Sequence, residues 1–473
     1  MLFRRFYDSK LAQASYLVGC TTSGEALVVD PNRRSDSYLQ AAAAEGLRIA
    51  HVTETHIHAD FVSGGRELAH CAGARLYLSD TGGSDWRYAY ADRSVTKLQD
   101  GSRFRVGVVE VQAWHVPGHT PEHLVFLVTD TATASEPMGA FTGDFIFVGD
   151  VGRPDLIERA VRVPGSMEES ARQLFRSLQR FRGLPDYLQI WPGHGAGSVC
   201  GKALGAVPQS TLGYEKRFNW AFGIKDENGF VRAVLDGQPE PPRYFAEMKR
   251  INQAGPRILG DIQRPARLPV DALITALTQG AVVVDTREAS EFMLGAIPGT
   301  LSIPGNRRFT TWAGSLLPYD RDVYLIVDDR GIQTVDELVR DLAGIGLDRT
   351  AGYFGTETIE AWRTSKGHLQ KIPTLRLPDV AAQLGRDDAV VLDVRNEGEW
   401  RSGHVPGSLN LPLGSLDQRL GEIPRDRPVI VHCQTGARAA MGASLLRARG
   451  FTDVRLFPGG FAEWRAVGKN EET

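Results

Sequence analysis

The residues of this chain whose types and spacing best suit chemistry are histidines and aspartates that follow apolar runs in its first half. They lie in the segments THIHADF, HVPGHTPEH, FTGDF and WPGHG, and in chain order they are His56, His58, Asp60, His119, Asp144 and His194. Imidazole nitrogens and carboxylate oxygens are ligands that suit zinc or non-haem iron. Nearby glycines let the backbone turn sharply at these points. The pattern predicts a metal site built from loops at strand ends.

A second reactive group lies in the segment VIVHCQTGAR near the C-terminus. This segment places Cys433 after an apolar strand and directly before a stretch with helical periodicity. A thiol at such a junction faces unpaired backbone N–H groups and the positive end of the helix dipole, which stabilise a thiolate or a bound persulfide. Arg438 adds positive charge close to the loop. The pattern therefore predicts a nucleophilic cysteine.

An internal repeat organises the elements that must position this cysteine. Residues 282–304 align with 390–412, and residues 325–346 align with 429–450. Each copy begins with a short apolar, β-branched run and continues through a loop into a helical stretch. Strands that alternate with helices predict a parallel α/β sheet in each copy.

The region before the repeat contains many short strand candidates and fewer helical stretches. Pro-rich segments near 239–242 and 256–269 separate it from the first copy, and a short bridge near 367–373 separates the two copies. A chain of 473 residues is also too long for one core. The sequence predicts three domains, namely 1–250, 266–366 and 373–473.

Composition narrows the class of protein. With 42% hydrophobic residues, 23% charged residues and a net charge of −3, the chain has the profile of a globular protein without a nucleic-acid-binding surface. Its apolar runs are too short for a membrane span, and charge interrupts MLFRRFYDSK before a signal peptide could form. The four cysteines are widely spaced, which favours a reducing cytoplasm. A homodimer is the default expectation for oligomeric state.

Residues 1–250 resemble the metallo-β-lactamase superfamily in the metal-binding segments named above. Within it they are more similar to the persulfide (sulfur) dioxygenases than to glyoxalase II-type hydrolases, and the segment GRPDL adds to this similarity. The resemblance implies an αββα sandwich. It also implies that His56, His119 and Asp144 hold one Fe(II) per chain, which leaves open positions for substrate and O₂.

Phe61 marks the departure from the binuclear hydrolases of this fold, which carry a histidine directly after the aspartate. A phenylalanine has no lone pair, so a ligand of a second metal is missing. His58, Asp60 and His194 match metal ligands of the hydrolases and are interpreted here as groups that orient the iron ligands or line the pocket. The alternative is a zinc site, for which His194 would be a ready second-metal ligand.

Cys200, in the segment HGAGSVCG, follows the last histidine loop and is expected near the metal pocket. Two interpretations stay open for it. It is either a small buried hydrophobic residue, as free cysteines usually are, or a thiol that receives or relays sulfane sulfur. The second interpretation follows its placement, which resembles that in persulfide dioxygenase–rhodanese fusions.

Residues 373–473 resemble rhodaneses. CQTGAR fits the CxxGxR loop of single-domain rhodaneses, and residues 393–407 match the upstream signature of that family. The resemblance implies a parallel α/β domain in which Cys433 carries sulfur beside Arg438. In the middle copy Asp329 stands in place of the cysteine and Thr334 in place of the arginine. Because a carboxylate cannot carry persulfide sulfur, this copy is predicted to be a degenerate rhodanese-like domain kept for packing or interdomain geometry.

The two resemblances together imply sulfur metabolism such as sulfide oxidation and detoxification. The iron site would oxidise a persulfide of glutathione, coenzyme A or a similar thiol with O₂ to sulfite. Cys433 would pass sulfane sulfur between a donor and sulfite, and so form or consume thiosulfate. Two alternatives remain, a zinc-dependent glyoxalase II-like thioester hydrolase fused to rhodanese domains and a non-enzymatic docking or sulfur-sensing module.

Overall fold

The computed structural model divides the chain into two compact units. The first contains residues 1–261 with 343–346, and the second contains residues 262–342 with 347–473. The structure describes residues 1–161, 165–202, 204–328, 331, 333–384, 386, 388–468 and 471–472. Among the helices in these ranges, none is long and apolar enough to cross a membrane.

The elements of the first unit alternate short strands with helices. Its strands are β1 (Leu2–Asp8), β2 (Gln13–Cys20), β3 (Glu25–Val29), β4 (Arg48–Thr53), β5 (Arg75–Ser79), β6 (Thr96–Leu98), β7 (Arg103–Val106), β8 (Val109–His115), β9 (Leu124–Asp130), β10 (Gly139–Gly143), β11 (Gln189–Pro192) and β12 (Ser210–Thr211). Its helices are α1 (Ser35–Ala44), α2 (Gly65–Ala72), α3 (Leu156–Val161), α4 (Ser166–Phe181), α5 (Leu212–Phe218), α6 (Trp220–Gly223), α7 (Glu227–Leu235) and α8 (Phe245–Ala254), with a 3₁₀ turn at Ser84–Trp86.

Two mixed sheets form the centre of the first unit. One has the strand order β1-β2-β3-β4-β5-β6, and the other has the order β12-β11-β10-β9-β8-β7. Their inner faces share one apolar core, to which Tyr16 of β2 and Phe126 of β9 contribute. In β8 buried residues alternate with less buried ones, as expected for a strand with one face toward a core.

Helices cover the outer faces of both sheets. In α4 the buried residues Ala171, Leu174 and Leu178 recur at helical spacing and pack over the second sheet. Tyr38 of α1 and Leu68 of α2 belong to the core against the first sheet. The expected αββα sandwich is confirmed.

The elements of the second unit follow the internal repeat. In chain order they are α9 (Val270–Thr278), β13 (Val282–Asp285), α10 (Ala289–Leu294), β14 (Leu301–Ser302), α11 (Phe309–Leu316), β15 (Val323–Val327), α12 (Val335–Gly344), β16 (Thr350–Gly355), α13 (Glu357–Lys366), α14 (Leu377–Leu384), β17 (Val390–Asp393), α15 (Glu397–Arg401), β18 (Leu409–Asn410), β19 (Val429–His432), α16 (Ala437–Ala448), β20 (Val454–Leu456) and α17 (Gly460–Ala466). Two 3₁₀ segments, Leu413–Gln418 and Leu420–Glu422, precede β19.

The two copies of the repeat form sheets of the same topology. Their strand orders are β14-β13-β15-β16 and β18-β17-β19-β20, and every pairing is parallel. The predicted parallel sheets are therefore confirmed. Within this unit α16 is buried all round, with each of residues 439–446 shielded from solvent. It packs against β14 of the other copy, where the Ser302 amide donates to Ser444 Oγ at 3.0 Å.

Candidate metal centre and sulfur-transfer loop

Four loops bring the metal-binding candidates together at the ends of strands in the first unit. His56 and His58 follow β4, His119 follows β8, Asp144 follows β10, and His194 follows β11. All of them are buried, as is Asp60. Short loops after neighbouring strands therefore gather side chains that are distant in sequence.

His56, His119 and Asp144 form one group that could hold a metal ion. One ligand atom from each lies within 4.8 Å of the others. His119 Nε2 lies 3.5 Å from Asp144 Oδ2. Among the described residues, neither carboxylate oxygen of Asp144 has a hydrogen-bond partner of ordinary geometry. A buried carboxylate without partners is costly unless a cation binds it, so the group fits a metal ion.

The outer nitrogens of both imidazoles are already engaged. His119 Nδ1 lies 3.1 Å from the Arg153 carbonyl oxygen, which can only accept a hydrogen bond. His56 Nδ1 lies 2.9 Å from Thr55 Oγ1, and that hydroxyl donates to Asp30 Oδ2 at 2.9 Å. Each Nδ1 is therefore the protonated donor, which leaves the lone pair of each Nε2 for an ion.

Asp30, at the end of β3, anchors the loop that carries the first two histidines. Its carboxylate accepts from the Thr55 amide at 2.6 Å and lies 3.3 Å from His58 Nε2. Burial alone would lower the pKa of His58, but the carboxylates of Asp30, Asp60 and Glu54 raise it to about 9. The Asp30 carboxylate thus favours the protonated form of His58. Sequence reasoning did not select Asp30, although its place directly before a proline was visible.

Asp60, His194 and Cys200 form a second group of possible ligands beside the first. Their ligand atoms lie within 4.8 Å of one another. His194 Nε2 lies 3.3 Å from Asp60 Oδ2 and 3.4 Å from Asp144 Oδ1, so Asp144 stands between the two groups. Burial, and then the charges of Asp60 and Asp144, raise the pKa of the Cys200 thiol well above its ordinary value. The thiol is therefore protonated at neutral pH unless a cation joins it.

The Phe61 ring and a fifth buried histidine, His123, complete the walls. The Phe61 ring is buried and lies 4.4 Å from that of His58, centroid to centroid. His123 Nε2 accepts from the Asp144 amide at 3.1 Å, and the His123 ring stacks on His56 at 4.7 Å. Burial, followed by neighbouring imidazoles, lowers the pKa of His123 well below its usual value. A neutral His123 thus fixes the backbone that presents Asp144.

The GRPDL segment ties the Asp144 loop to the loop that carries Cys200. Arg153 is fully buried, and it donates to both oxygens of Asp155 at 2.8 and 2.7 Å and to the Val199 carbonyl at 3.0 Å. A Cβ on Gly152 would stand 1.7 Å from the Asp144 carbonyl oxygen, so this close approach requires glycine. The segment thereby fixes the positions of both neighbouring loops.

In the second unit Cys433 lies between β19 and α16, as the sequence predicts. Its Sγ accepts from the Gly436 amide at 3.1 Å, and Gly436 has a φ of 91°, a conformation that favours glycine. Two arginines flank this loop, and each is paired with a carboxylate. Arg438 donates to both oxygens of Glu399 at 2.6 and 2.7 Å.

The middle copy shares part of this framework. Arg287 pairs with Asp285 at 2.7 Å, as Arg395 pairs with Asp393 at 2.7 Å. Thr334 instead caps its helix, because its hydroxyl accepts from the Glu337 amide at 3.3 Å. Asp329, which aligns with Cys433, lies outside the described residues.

Two protein-family models and a solved structure match large parts of this chain. Residues 9–194 match the family model for the metallo-beta-lactamase superfamily, and residues 377–467 match that for the rhodanese-like domain. The crystal structure of a metallo-beta-lactamase from Staphylococcus aureus subsp. aureus COL is 44% identical, with a TM-score of 0.69, and the match covers 75% of this chain and 99% of that one. The chain belongs to the metallo-beta-lactamase superfamily.

Other relatives of this metallo-beta-lactamase superfamily member share shorter stretches. A hydroxyacylglutathione hydrolase of Methylococcus capsulatus is 33% identical over 38% of this chain and 60% of its own length. A beta-lactamase hydrolase-like protein of Xylella fastidiosa is 26% identical over 57% of this chain and 64% of its own length. The chain thus spans about three fifths of the length of these two curated relatives.

A metallo-beta-lactamase fold joined to a rhodanese-like domain indicates an enzyme. The buried histidines and aspartates indicate a metal cofactor. The sequence selected His56, His119 and Asp144 as a ligand set, and it selected the loop cysteine. It did not predict that Asp60, His194 and Cys200 form a second group of possible ligands. It assigned no orienting role to the residues that hold these groups in place, above all Asp30, His123 and Glu399.

Proposed function

We propose that this protein oxidises a low-molecular-weight thiol persulfide with O₂ to sulfite at a single Fe(II) site. In this proposal His56, His119 and Asp144 hold the iron, and Cys433 carries sulfane sulfur in the rhodanese-like domain. The observation that carries the proposal is the buried set of two imidazoles and one carboxylate, whose ligand atoms lie within 4.8 Å of one another. Such a set is typical of non-haem iron oxygenases.

The residues present fit this metal. The two oriented imidazoles and the Asp144 carboxylate supply three ligand atoms with no proton on the binding side. When bound, Fe(II) offers open coordination positions at which persulfide sulfur and O₂ react. Phe61 supports a single metal because it places a ring without a lone pair directly after Asp60.

The chain's own residues would orient and protect the reaction. Asp30 and Thr55 fix the tautomer of His56, and the Arg153 carbonyl does the same for His119. The buried ring of Phe61 helps to keep water from the pocket. Overall, one persulfide, one O₂ and one water yield the free thiol, sulfite and two protons.

Cys433 would then carry the sulfur. Its thiolate attacks the outer sulfur of a thiol persulfide, the S–S bond breaks, and the thiol leaves while Cys433 becomes a persulfide. Attack by sulfite on that outer sulfur releases thiosulfate and restores the thiolate. The Gly436 amide, 3.1 Å from Sγ, supports this role because it stabilises negative charge on the sulfur.

Cys200 is proposed to receive sulfane sulfur beside the metal centre once its thiol has lost its proton. Its support is its position in one group with Asp60 and His194. The middle repeat is proposed to be a degenerate rhodanese-like domain. Its support is the shared sheet topology and the Thr334 that replaces the loop arginine.

A zinc-dependent thioester hydrolase is the second candidate. The group formed by Asp60, His194 and Cys200, which lies beside the first group, favours it, as does the similarity to a hydroxyacylglutathione hydrolase. Metal content and substrate use distinguish the candidates. One iron per chain with sulfite formation supports persulfide oxidation. Two zinc ions per chain with hydrolysis of S-lactoylglutathione would instead show that the protein is a thioester hydrolase.

Sulfur transfer needs its own test, because a docking or sensing module would not turn over. Cys433→Ser should abolish sulfurtransferase turnover and leave O₂-dependent persulfide oxidation in place. The matched control is Cys71→Ser, which alters an exposed thiol on α2. Transfer that survives in Cys433→Ser would assign the carrier role to another group.

A further inference from the structure

Arg438, which lies at the start of α16 just after the sulfur loop, is paired with the carboxylate of Glu399. Glu399 of α15 accepts from both of its terminal nitrogens, at 2.6 and 2.7 Å. Burial alone would lower the pKa of Arg438, but Glu399 and then Cys433 raise it. The Arg438 guanidinium thus interacts electrostatically with Cys433 while it forms an ion pair with Glu399.

The other arginine at this loop is paired in the same way. Arg395 donates to both oxygens of Asp393, at 2.9 and 2.7 Å, and reaches Gln434 of the loop at 3.3 Å. Arg395 and Asp393 are buried, so little solvent screens this pair.

The histidine directly before the loop cysteine adds no charge. His432 precedes Cys433 and is buried, and burial lowers its pKa although the nearby Asp393 acts in the opposite direction. His432 is therefore neutral at neutral pH. The charges of Arg395, Arg438, Asp393 and Glu399 then sum to zero.

We propose that Glu399 is a specificity-determining residue that selects thiol persulfides over doubly charged sulfur oxyanions at Cys433. A thiol persulfide presents one negative charge at its reacting sulfur, which the loop amides can hold without net positive charge nearby. Thiosulfate presents two, and it gains no net ionic attraction from a neutralised Arg438. The inference rests on the proposed function of Cys433, and it makes persulfide the preferred donor and thiosulfate a readily released product.

The test is Glu399→Gln in the full chain, with thiosulfate or glutathione persulfide as sulfur donor and cyanide as acceptor. The backbone N–H of Asn396 donates to Glu399 Oε2 at 3.1 Å, and glutamine keeps an oxygen that can accept this bond, so the helix cap survives. We expect kcat/KM for thiosulfate to rise about tenfold, through a lower KM and with a steeper dependence on salt. Persulfide kcat/KM should change less than about twofold, because a single charge gains less.

The matched control is Glu397→Gln on the same helix. Glu397 pairs with Arg401 at 3.2 Å, and both side chains are exposed. The control makes the same charge change without freeing Arg438, so the ratio of the two kcat/KM values should stay at the wild-type ratio.

The outcomes separate this inference from the function on which it rests. If the wild type transfers sulfur but Glu399→Gln leaves the donor ratio unchanged, or lowers both kcat/KM values equally, Glu399 only positions Arg438 and the specificity role is wrong. A tenfold rise in both Glu399→Gln and Glu397→Gln would likewise assign the effect to general surface charge. A wild type inactive with both donors would overturn the proposed sulfur transfer itself.

Discussion

At the scale of single residues, Asp60 and His194 have side chains that could bind a second metal ion. The residue after Asp60, Phe61, has no atom that could be a metal ligand. Phe61 offers an apolar ring, and the nearby thiol of Cys200 is protonated because burial and two carboxylates raise its pKa. A second ion would therefore need to displace the Cys200 proton. This combination favours occupancy of the first group alone.

Restoring a histidine at position 61 should change metal stoichiometry. We expect Phe61→His to raise the bound metal from about one to about two ions per chain, because an imidazole adds a neutral ligand next to Asp60. Elemental analysis after dialysis measures this, and Phe61→Leu serves as the apolar control. If Phe61→His still binds one ion, the phenylalanine is not what restricts the site.

Glu122 gives a pH-dependent prediction. Burial raises its pKa to about 7, and its Oε1 accepts from the Ile57 amide at 2.7 Å. Because the pKa of Glu122 is raised in the folded state, the folded carboxyl keeps its proton at pH values where the unfolded chain has lost it. This difference lowers the free energy of unfolding by little at pH 4, and the loss grows as pH rises toward 7. Glu122→Gln should therefore be more stable than wild type at pH 8, by on the order of 2 kcal/mol, and nearly equal at pH 5.

Thermal unfolding of both proteins at pH 5 and pH 8 measures this difference. Glu240→Gln at an exposed position is the control and should leave Tm unchanged at both pH values. An equal effect of Glu122→Gln at both pH values would show that Glu122 does not titrate in this range.

At the scale of elements, the site depends on loops that leave neighbouring strands. The end of β3 presents Asp30, and the loop after β4 presents Thr55 and His56, so a single carboxylate orients an imidazole through a hydroxyl. Asp30 also adopts a φ of 50°, which is unusual for a residue with a side chain. Its three hydrogen-bonded contacts offset that strain.

Replacing this anchor should weaken the metal site without removing a ligand. In Asp30→Asn the amide can donate to Thr55 Oγ1, which no longer fixes the tautomer of His56. We expect metal affinity to fall by about 10- to 100-fold. Competition with a chelator measures it, and Asp36→Asn on the exposed start of α1 is the control. Unchanged affinity in Asp30→Asn would mean that His56 is oriented by other contacts.

The sequence predicted the strands and helices better than it predicted the residues that orient the site side chains. Apolar runs followed by His or Asp located the strand ends that carry His119 and Asp144, because burial of a strand leaves a local pattern. Asp30 left no such pattern, and the match of residues 393–407 to a family signature did not show what Glu399 contacts. Each acts through a contact far away in the chain, and an aspartate before a proline is equally typical of an ordinary turn.

At the scale of the whole molecule, the second unit shows what the middle repeat contributes. Its strand β14 packs against α16, which is why that helix lacks the exposed face of a helix in a single-domain protein. The internal repeat predicted both sheets, but not this burial. Periodicity identifies an apolar helix without identifying what covers it. The division of this unit into domains 266–366 and 373–473 stays a prediction.

Residues 373–473 expressed alone should therefore be less stable than residues 262–473. Loss of the contacts around α16 exposes apolar surface, so we expect binding of a hydrophobic dye and a Tm lower by about 8 °C. Calorimetry and dye fluorescence on both fragments measure this. Equal Tm values without dye binding would show that the middle repeat is dispensable for folding.

Oxygen consumption by anaerobically Fe(II)-loaded protein given glutathione persulfide tests the proposed chemistry most directly. We predict uptake of one O₂ for each sulfite or thiosulfate formed, because Cys433 can convert sulfite and a second persulfide to thiosulfate. Uptake should be lost in His119→Ala, which removes a ligand from the group His56, His119 and Asp144. Coenzyme A persulfide serves as a second substrate. Absence of uptake with either persulfide, together with hydrolysis of S-lactoylglutathione by the zinc-loaded protein, would contradict persulfide oxidation and establish a hydrolase.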